Sequence, residues 1–388
     1  MKESHEFLMP DYYPRFACKM GACREACCVG WPIAFSLEDY FHLSTLDCSP
    51  ALRDIIDRGV RIALEPRPER YAEVVPRYDG DCSLRLPDGR CSLQAELGED
   101  ALTDVCCLYP RGIRCDEGYE ISCANSCEAV LELLFEKEAP ISFIKKTLTV
   151  RIPPAAARKV TFETLHHARE LRLWFIRQLQ QRQYSLPERL KALESCVCRA
   201  EAALESRDEQ ALLAMMAAPY RPAALRKNAD QKSLLAGIEK AERLLKLVDE
   251  RSPSVSRYGE QALAYFTGGG DVYARYLEAK NRFEKLVPKW ELYYEHMLVN
   301  HMFFSEFPLQ DRPESFHDEY AALCVIYTLL RFLCIGWLAQ HYTENAFTDI
   351  CAAAFRLIDH TDFEHYALYL LKKTGMNGGD SLDEWIVL

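Results

Sequence analysis

Twelve of the 17 cysteines in this chain fall between Cys18 and Cys127, a density that marks the first third as the place to look for chemistry. The run CKMGACREACC, from Cys18 through Cys23 and Cys27 to Cys28, sets four thiols within eleven residues, so one tight backbone wrap can aim them at a common centre. A second set is scattered: Cys82, Cys91, the pair Cys106 and Cys107, Cys115, then Cys123 and Cys127. A closed tetrahedral site or a cubane takes about four thiolates, usually drawn from two or more segments. Thiolates are soft ligands and select zinc, copper(I) or iron–sulfur clusters. His42 is the only histidine between Cys18 and Cys127, so a mixed Cys/His zinc site lacks its second ligand type. Nor do the spacings show the paired C-x2-C knuckles of common zinc fingers. All-cysteine ligation leaves zinc open, with an iron–sulfur cluster the favoured reading. Cys48 and Cys115 are expected to stand aside.

An odd cysteine total fits a disulfide framework poorly, and the opening MKESHEFLMPDYYPRF has neither an apolar signal core nor a small-residue cleavage site. The expected compartment is therefore reducing and cytoplasmic, where clustered thiols read as metal ligands or redox groups. The 388 residues carry a formal net charge of −11, which repels nucleic acid and anionic membrane surfaces and tolerates a cationic partner such as a lysine-bearing protein. One apolar span, Ala321 to Ala339, approaches the length of a membrane helix but holds Arg331 near its centre. A charge there is costly in a bilayer, so a buried core helix is expected.

The elements that must position these thiols divide the chain in two. Residues 1–140 are rich in Cys, Pro, Gly and Asp with frequent turn signals, and read as an irregular, cysteine-rich metal-binding domain. Short helices are expected from Ser36, a capping residue, and from Cys127 to Lys137. Residues 141–388 read as a helical domain, which makes the fold mainly α. Leu186, Leu190, Leu193, Val197, Ala200 and Leu204 alternate steps of four and three, with Pro187 at the helix start. Phe162–Leu179, Leu234–Val248, Val272–Leu286, Lys289–Phe304, Tyr320–Ala339 and Phe347–Ile358 carry similar stripes. Strand signals are scarce, with Phe143–Ile152 the best of them. Pro153 and Pro154 are the expected junction, and Gly268 to Gly270 a connection between helices.

Four segments together resemble a known family: Cys18 to Trp31; Cys82-Ser-Leu with Gly89-Arg-Cys91; Cys106-Cys107-Leu-Tyr109-Pro110-Arg111; and Ile121-Ser-Cys123. The sequence is similar there to the flagellin lysine N-methylases, part of a wider group of cysteine-cluster proteins described as zinc or iron chelators. The similarity continues, more softly, through Leu292 to Asn300 and the late helices. It implies a [4Fe–4S] cluster, S-adenosylmethionine as methyl donor, and a lysine side chain of flagellin as acceptor. Carried over position by position, it implies as metal ligands Cys18, Cys23, Cys27, Cys28, Cys82, Cys91, Cys106 and Cys123. Cys107 and Cys127 fall outside the pattern. Eight thiols exceed the four that one cubane needs, so either some are structural or a second metal is bound.

Methyl transfer to lysine requires the neutral amine, hence desolvation or a base, in a channel that aligns it with the donor. Trp290, Tyr293, Tyr294, His301, Phe303 and Phe304 are candidates for such a channel, although helical spacing favours plain core. No glycine-rich loop follows a strand as a Rossmann-type donor site would need. The C-x3-C-x2-C loop of radical enzymes is only half present, because position 30 is Gly30. An open iron of the cluster is the expected donor site. Arg111 is the candidate cofactor-binding residue, able to anchor a carboxylate or donate hydrogen bonds to cluster sulfurs. Trp31 is placed to screen the cluster, Asn300 and Arg331 to act as buried hydrogen-bonding groups. Cys196, Cys198, Cys324, Cys334 and Cys351 are expected to be inert. Catalytic residues are not assigned. The rival readings are a non-enzymatic binding module stapled by zinc and an iron–sulfur electron-transfer protein.

Overall fold

The computed structural model describes residues 2–24, 27–29, 33–115, 118–152, 167–219, 230–248, 252–309, 315–376 and 379–388. Trp31, Pro153 and Pro154 lie outside the described residues, as does the start of the expected Phe162–Leu179 stripe. The chain is mainly helical, with a small β region near its N-terminus.

The first part runs β1 (Lys2–Pro10), β2 (Ala34–Phe35), α1 (Leu37–Thr45), α2 (Pro50–Gly59), β3 (Val60–Arg67), β4 (Arg70–Val74), α3 (Ser92–Leu97), α4 (Asp104–Leu108), β5 (Arg111–Arg114), β6 (Tyr119–Cys123), α5 (Glu128–Glu136) and β7 (Phe143–Arg151). Ser36 caps α1 as expected, its hydroxyl oxygen accepting from the Asp39 amide at 3.1 Å. The strands exceed the expectation of scarcity. β1 lies inside a four-stranded sheet of order β5-β6-β1-β7, parallel to β6 and antiparallel to β7 from Lys2 opposite Arg151 to Pro10 opposite Phe143. Its first half is largely solvent-facing and only Phe7–Pro10 is buried, so no period-two alternation announces it. β7 closes the sheet as a mostly exposed edge carrying Lys145 and Lys146, charges that deter further strand pairing. A second sheet, β2-β4-β3, is antiparallel throughout.

The second part comprises α6 (Ala168–Leu179), α7 (Leu186–Glu205), α8 (Glu209–Ala217), α9 (Gln231–Val248), α10 (Pro253–Thr267), α11 (Val272–Leu286), α12 (Trp290–Phe304), α13 (Phe316–Leu338), α14 (Ala346–His360), α15 (Phe363–Thr374) and α16 (Gly379–Ile386). In α7 the apolar stripe is the buried face: Leu186, Leu190, Leu193, Val197 and Ala200 have no exposed surface. The Glu188 carboxylate accepts from the Ser185 amide at 2.8 Å and fixes the start of that helix. Gly268 to Gly270 connect α10 to α11, as expected. The apolar Ala321–Ala339 span is α13, the central helix. It packs against α7, α10, α11, α14, α15 and α16 and is buried along almost its whole length. Surrounded on every side, it needs no polar face, which is why its sequence reads as one continuous apolar run.

Two hydrophobic cores result. The larger joins β1, β6 and α5 to the helices, from Phe7 and Met9 through Leu134 to Leu388. The smaller is enclosed within residues 33–107 by Ile33, Phe35, Leu43, Leu52, Ile56, Val74, Leu84, Leu93 and Leu102.

Candidate functional site

Where the small core meets the large one, the chain encloses a cavity of about 290 Å³ lined by nine cysteines: Cys18, Cys23, Cys27, Cys28, Cys82, Cys91, Cys106, Cys107 and Cys127. Seven of the eight expected ligands therefore face one space. The eighth, Cys123, does not line it. It ends β6 fully buried, with its amide donating to the Tyr12 hydroxyl at 3.3 Å and its carbonyl accepting from Asn300 Nδ2 at 2.8 Å. Cys107 and Cys127, outside the family pattern, do line it, whereas Cys48 and Cys115 do not.

Local backbone chemistry explains the convergence. The Cys82 amide donates to the Cys28 carbonyl at 2.8 Å, beside a bridge between Val29 and Asp81. The turn that follows is closed by Arg85 N–H to the Cys82 carbonyl at 3.0 Å and by a bridge between Arg85 and Cys91. On the other side, Lys19 Nζ donates to Glu128 and Glu132 of α5, both at 2.8 Å, and the Arg24 amide donates to Glu128 at 3.0 Å. Arg24 Nε reaches Asp349 of α14 at 2.8 Å. These contacts pin the Cys18–Cys23 loop over the start of α5, where Cys127 is the residue preceding the helix.

The thiols are not electrostatically alike. Burial pushes Cys23 and Cys82 up to about 11 and Cys106 up to about 12. Cys28 moves the other way, held below the ordinary thiol value by a hydrogen bond from Cys27 and by the Arg85 charge. The same bond keeps the proton on Cys27. Cys28 is thus the thiol most ready to ionise, and metal binding at the rest would release protons. Cys107 turns its sulfur toward Glu99 Oε1, 3.9 Å away. Arg111 lines the cavity, donates to the Cys107 carbonyl at 3.2 Å and lies 5.2 Å from the Phe16 ring centroid.

Among the described residues no three His, Cys, Asp or Glu side chains stand at single-ion spacing. The donor set nonetheless suits thiolate metal chemistry: the lining holds nine thiols and, among the described residues, no histidine. Much of the remaining wall is apolar, with Phe16, Ile33, Phe35, Val74, Leu84, Leu93 and Leu102, while Lys19, Arg85, Glu99, Arg111 and Glu128 are its charged members. The aromatic residues of α12 lie elsewhere. Tyr294, His301 and Phe303 are buried in the large core, in line with the plainer reading of their spacing. Asn300 and Arg331 are buried hydrogen-bonding groups as expected: Asn300 accepts from Tyr12 at 2.6 Å and donates to Asn125 at 2.8 Å, while Arg331 Nε donates to the Leu388 carbonyl at 2.9 Å.

One polar chain leaving the cavity had no signal in the sequence. Tyr109 lines the cavity, its hydroxyl is 3.1 Å from Ser126 Oγ, and Ser126 Oγ is 2.7 Å from His360 Nε2. Ser126 is buried and His360 reaches solvent at the end of α14. The three residues come from three segments, so only the fold brings them together.

Residues 172–388 match the family model described as the FliB lysine N-methylase C-terminal domain. A stretch of 106 residues is 31% identical to a lysine-N-methylase of Salmonella typhimurium, covering 26% of this chain and 25% of that protein. The lysine-N-methylase of Salmonella choleraesuis matches to the same extent. The flagellar biosynthetic protein FliU of Salmonella muenchen is 29% identical over 106 residues, 26% of this chain and 60% of that protein. The aligned stretch thus spans about a quarter of the length of the curated lysine-N-methylases. No solved structure matches.

Proposed function

The chain belongs to the FliB lysine N-methylase family, and on that premise we propose that it is a protein-lysine N-methyltransferase acting on a flagellar protein. In this reading S-adenosylmethionine is the donor and the cysteine cavity holds a [4Fe–4S] cluster. The observation that carries it is the cavity itself, where thiols gathered from separate segments meet a largely apolar wall in a chain of this family.

A cluster held there would supply Lewis-acidic iron able to anchor the donor's amino and carboxylate groups. The chain's own residues account for the rest. Phe16, Ile33, Phe35 and Leu102 strip water from an entering lysine, which lowers the amine from its ordinary value of about 10.4. Arg111 at the cavity wall is placed to pair with a carboxylate. The proton lost by the ammonium passes from the Tyr109 hydroxyl to Ser126 and on to His360, which exchanges it with solvent. Methyl transfer then needs only a lone pair in line with the methylsulfonium, which the narrow cavity favours.

The test is anaerobic purification with iron, sulfide and zinc analysis and a visible spectrum, followed by transfer of labelled methyl from the donor to lysines of a flagellar filament protein. A brown protein whose transfer ceases on iron removal is expected. A colourless zinc protein without transfer would replace this reading with a zinc-stapled binding module.

A further inference from the structure

We propose that the cavity contains two separate thiolate metal sites, one built from Cys28, Cys82, Cys91 and Cys106 and the other from Cys18, Cys23, Cys27 and Cys127. The proposal rests on reading the cavity as a metal centre and is independent of methyl transfer.

The thiols sit on two walls that belong to two different cores. Cys28, Cys82 and Cys91 are packed with the small core, beside Ile33, Phe35 and Leu84. The Cys28–Cys82 backbone pair and the Arg85–Cys91 bridge hold these three in one unit. Cys106, on α4, faces the same unit: the thiols that act on it are Cys91, Cys82 and Cys28. Cys127 instead packs with the large core at the start of α5. The loop bearing Cys18 and Cys23 is fastened to that helix by Lys19 and by the Arg24 amide. The thiols that act on Cys23 are Cys127 and Cys18, with none from the small core among its main neighbours.

The count closes as well. Of the nine lining thiols, Cys107 points to Glu99 and leaves eight, two sets of four. Cys27 and Cys28 are adjacent and hydrogen-bonded at the seam, and Cys27 has Cys106 and, less strongly, Cys18 in its field, so the count of four per set is what assigns it. Giving Cys27 to the Cys18 side and Cys28 to the Cys82 side completes four ligands for each, the number that a closed tetrahedral zinc site or a cubane takes. Each set also has a cation beside it, Arg85 near Cys28 in an ion pair with Asp81 and Lys19 near Cys23 in ion pairs with Glu128 and Glu132.

The experiment counts metal on the full chain purified anaerobically, measuring iron, acid-labile sulfide and zinc per chain in the wild type, Cys91→Ser, Cys127→Ser and the double variant. Two centres per wild-type chain are expected, either two clusters or one cluster and one zinc. Each single variant should lose one centre and keep the other, and the double should lose both. Cys107→Ser should keep both. One centre per wild-type chain overturns the proposal, as does a Cys127→Ser variant with full metal content or a single substitution that empties both sites. Should Cys127→Ser fail to fold, Cys18→Ser in the exposed loop reads the same set. Two filled centres without methyl transfer would remove the proposed function and leave this inference standing; one centre with transfer would do the reverse.

Discussion

Gly21 and Gly89 meet backbone to backbone at the cysteine cavity: a Cβ on Gly21 would fall 2.4 Å from the Gly89 carbonyl carbon, and one on Gly89 would fall 2.5 Å from the Gly21 carbonyl oxygen. Both have positive φ, +93° and +89°, in the region that side chains resist. This contact joins the loop of Cys18 and Cys23 to the turn between Cys82 and Cys91. Gly21→Ala is expected to cost about 1–2 kcal/mol in backbone strain alone, and the clash must also push the two loops apart. Urea unfolding and metal content together check this. Unchanged stability with unchanged metal would show that the loops do not depend on the contact.

His301 is held between two carboxylates, Nδ1 at 3.0 Å from Asp359 and Nε2 at 2.9 Å from Glu364. Burial favours the neutral ring, but the hydrogen bonds and charges of Asp359 and Glu364 override it and raise the imidazole to about 10. Its unfolded value is about 6.5. The protonated ring therefore adds stability that is complete below about pH 6.5 and is lost as pH rises toward 10, since each tenfold gain in proton affinity on folding is worth about 1.4 kcal/mol. His301→Gln should unfold more easily at pH 6, with the gap to wild type closing by pH 10. Urea midpoints across that range test it, and a gap independent of pH would refute the charged histidine.

The helices and the thiols differ in how legible they were. The stripe of α7 is readable because one face alone is buried, so period and packing agree. α13 is readable for the opposite reason, burial on all sides, and Arg331 within it separated core from membrane. β1 is illegible because only Phe7–Pro10 is buried and its antiparallel partner, β7, lies beyond α5 in the chain. Of the thiols, density points only to the twelve between Cys18 and Cys127 as a group; the family resemblance singles out Cys18, Cys23, Cys27, Cys28, Cys82, Cys91 and Cys106, all of which line the cavity. Cys127 was passed over because the family pattern omits it, though its place before Glu128 at a helix start was a usable signal: helix N-termini favour thiolates. Cys123 fits the pattern yet lies behind the wall, since β6 turns it toward Tyr12 and Asn300.

Arg331 and Thr328 of α13 hold the last helix in place. Thr328 Oγ1 donates to the Trp385 carbonyl at 2.7 Å, Arg331 Nε donates to the Leu388 carbonyl at 2.9 Å, and the guanidinium lies 4.0 Å from the Trp290 ring centroid. Arg331→Met would keep the volume and strand the Leu388 carbonyl, a loss of about 1–3 kcal/mol. Hydrogen exchange should quicken in α16 first, ahead of α13 itself. Equal protection of α16 in variant and wild type would count against the anchor.

If Tyr109, Ser126 and His360 carry the lysine proton outward, cutting the middle link should change the pH profile more than the affinity. Partial desolvation of the His360 ring, opposed by Asp359 and reinforced by Arg356, holds it below its ordinary value, so it is a free base at neutral pH. Wild-type methyl transfer should therefore fall away only as pH drops through the acid side of the histidine range. Ser126→Ala breaks both hydrogen bonds, 3.1 Å to Tyr109 and 2.7 Å to His360, without touching the thiols. Its kcat at neutral pH is expected to drop about 100-fold, with KM for the protein substrate little changed. Activity should recover at alkaline pH, where the lysine deprotonates unaided, and Ser126→Thr should retain most of it. A Ser126→Ala enzyme with the wild-type pH profile would leave the proton to another route.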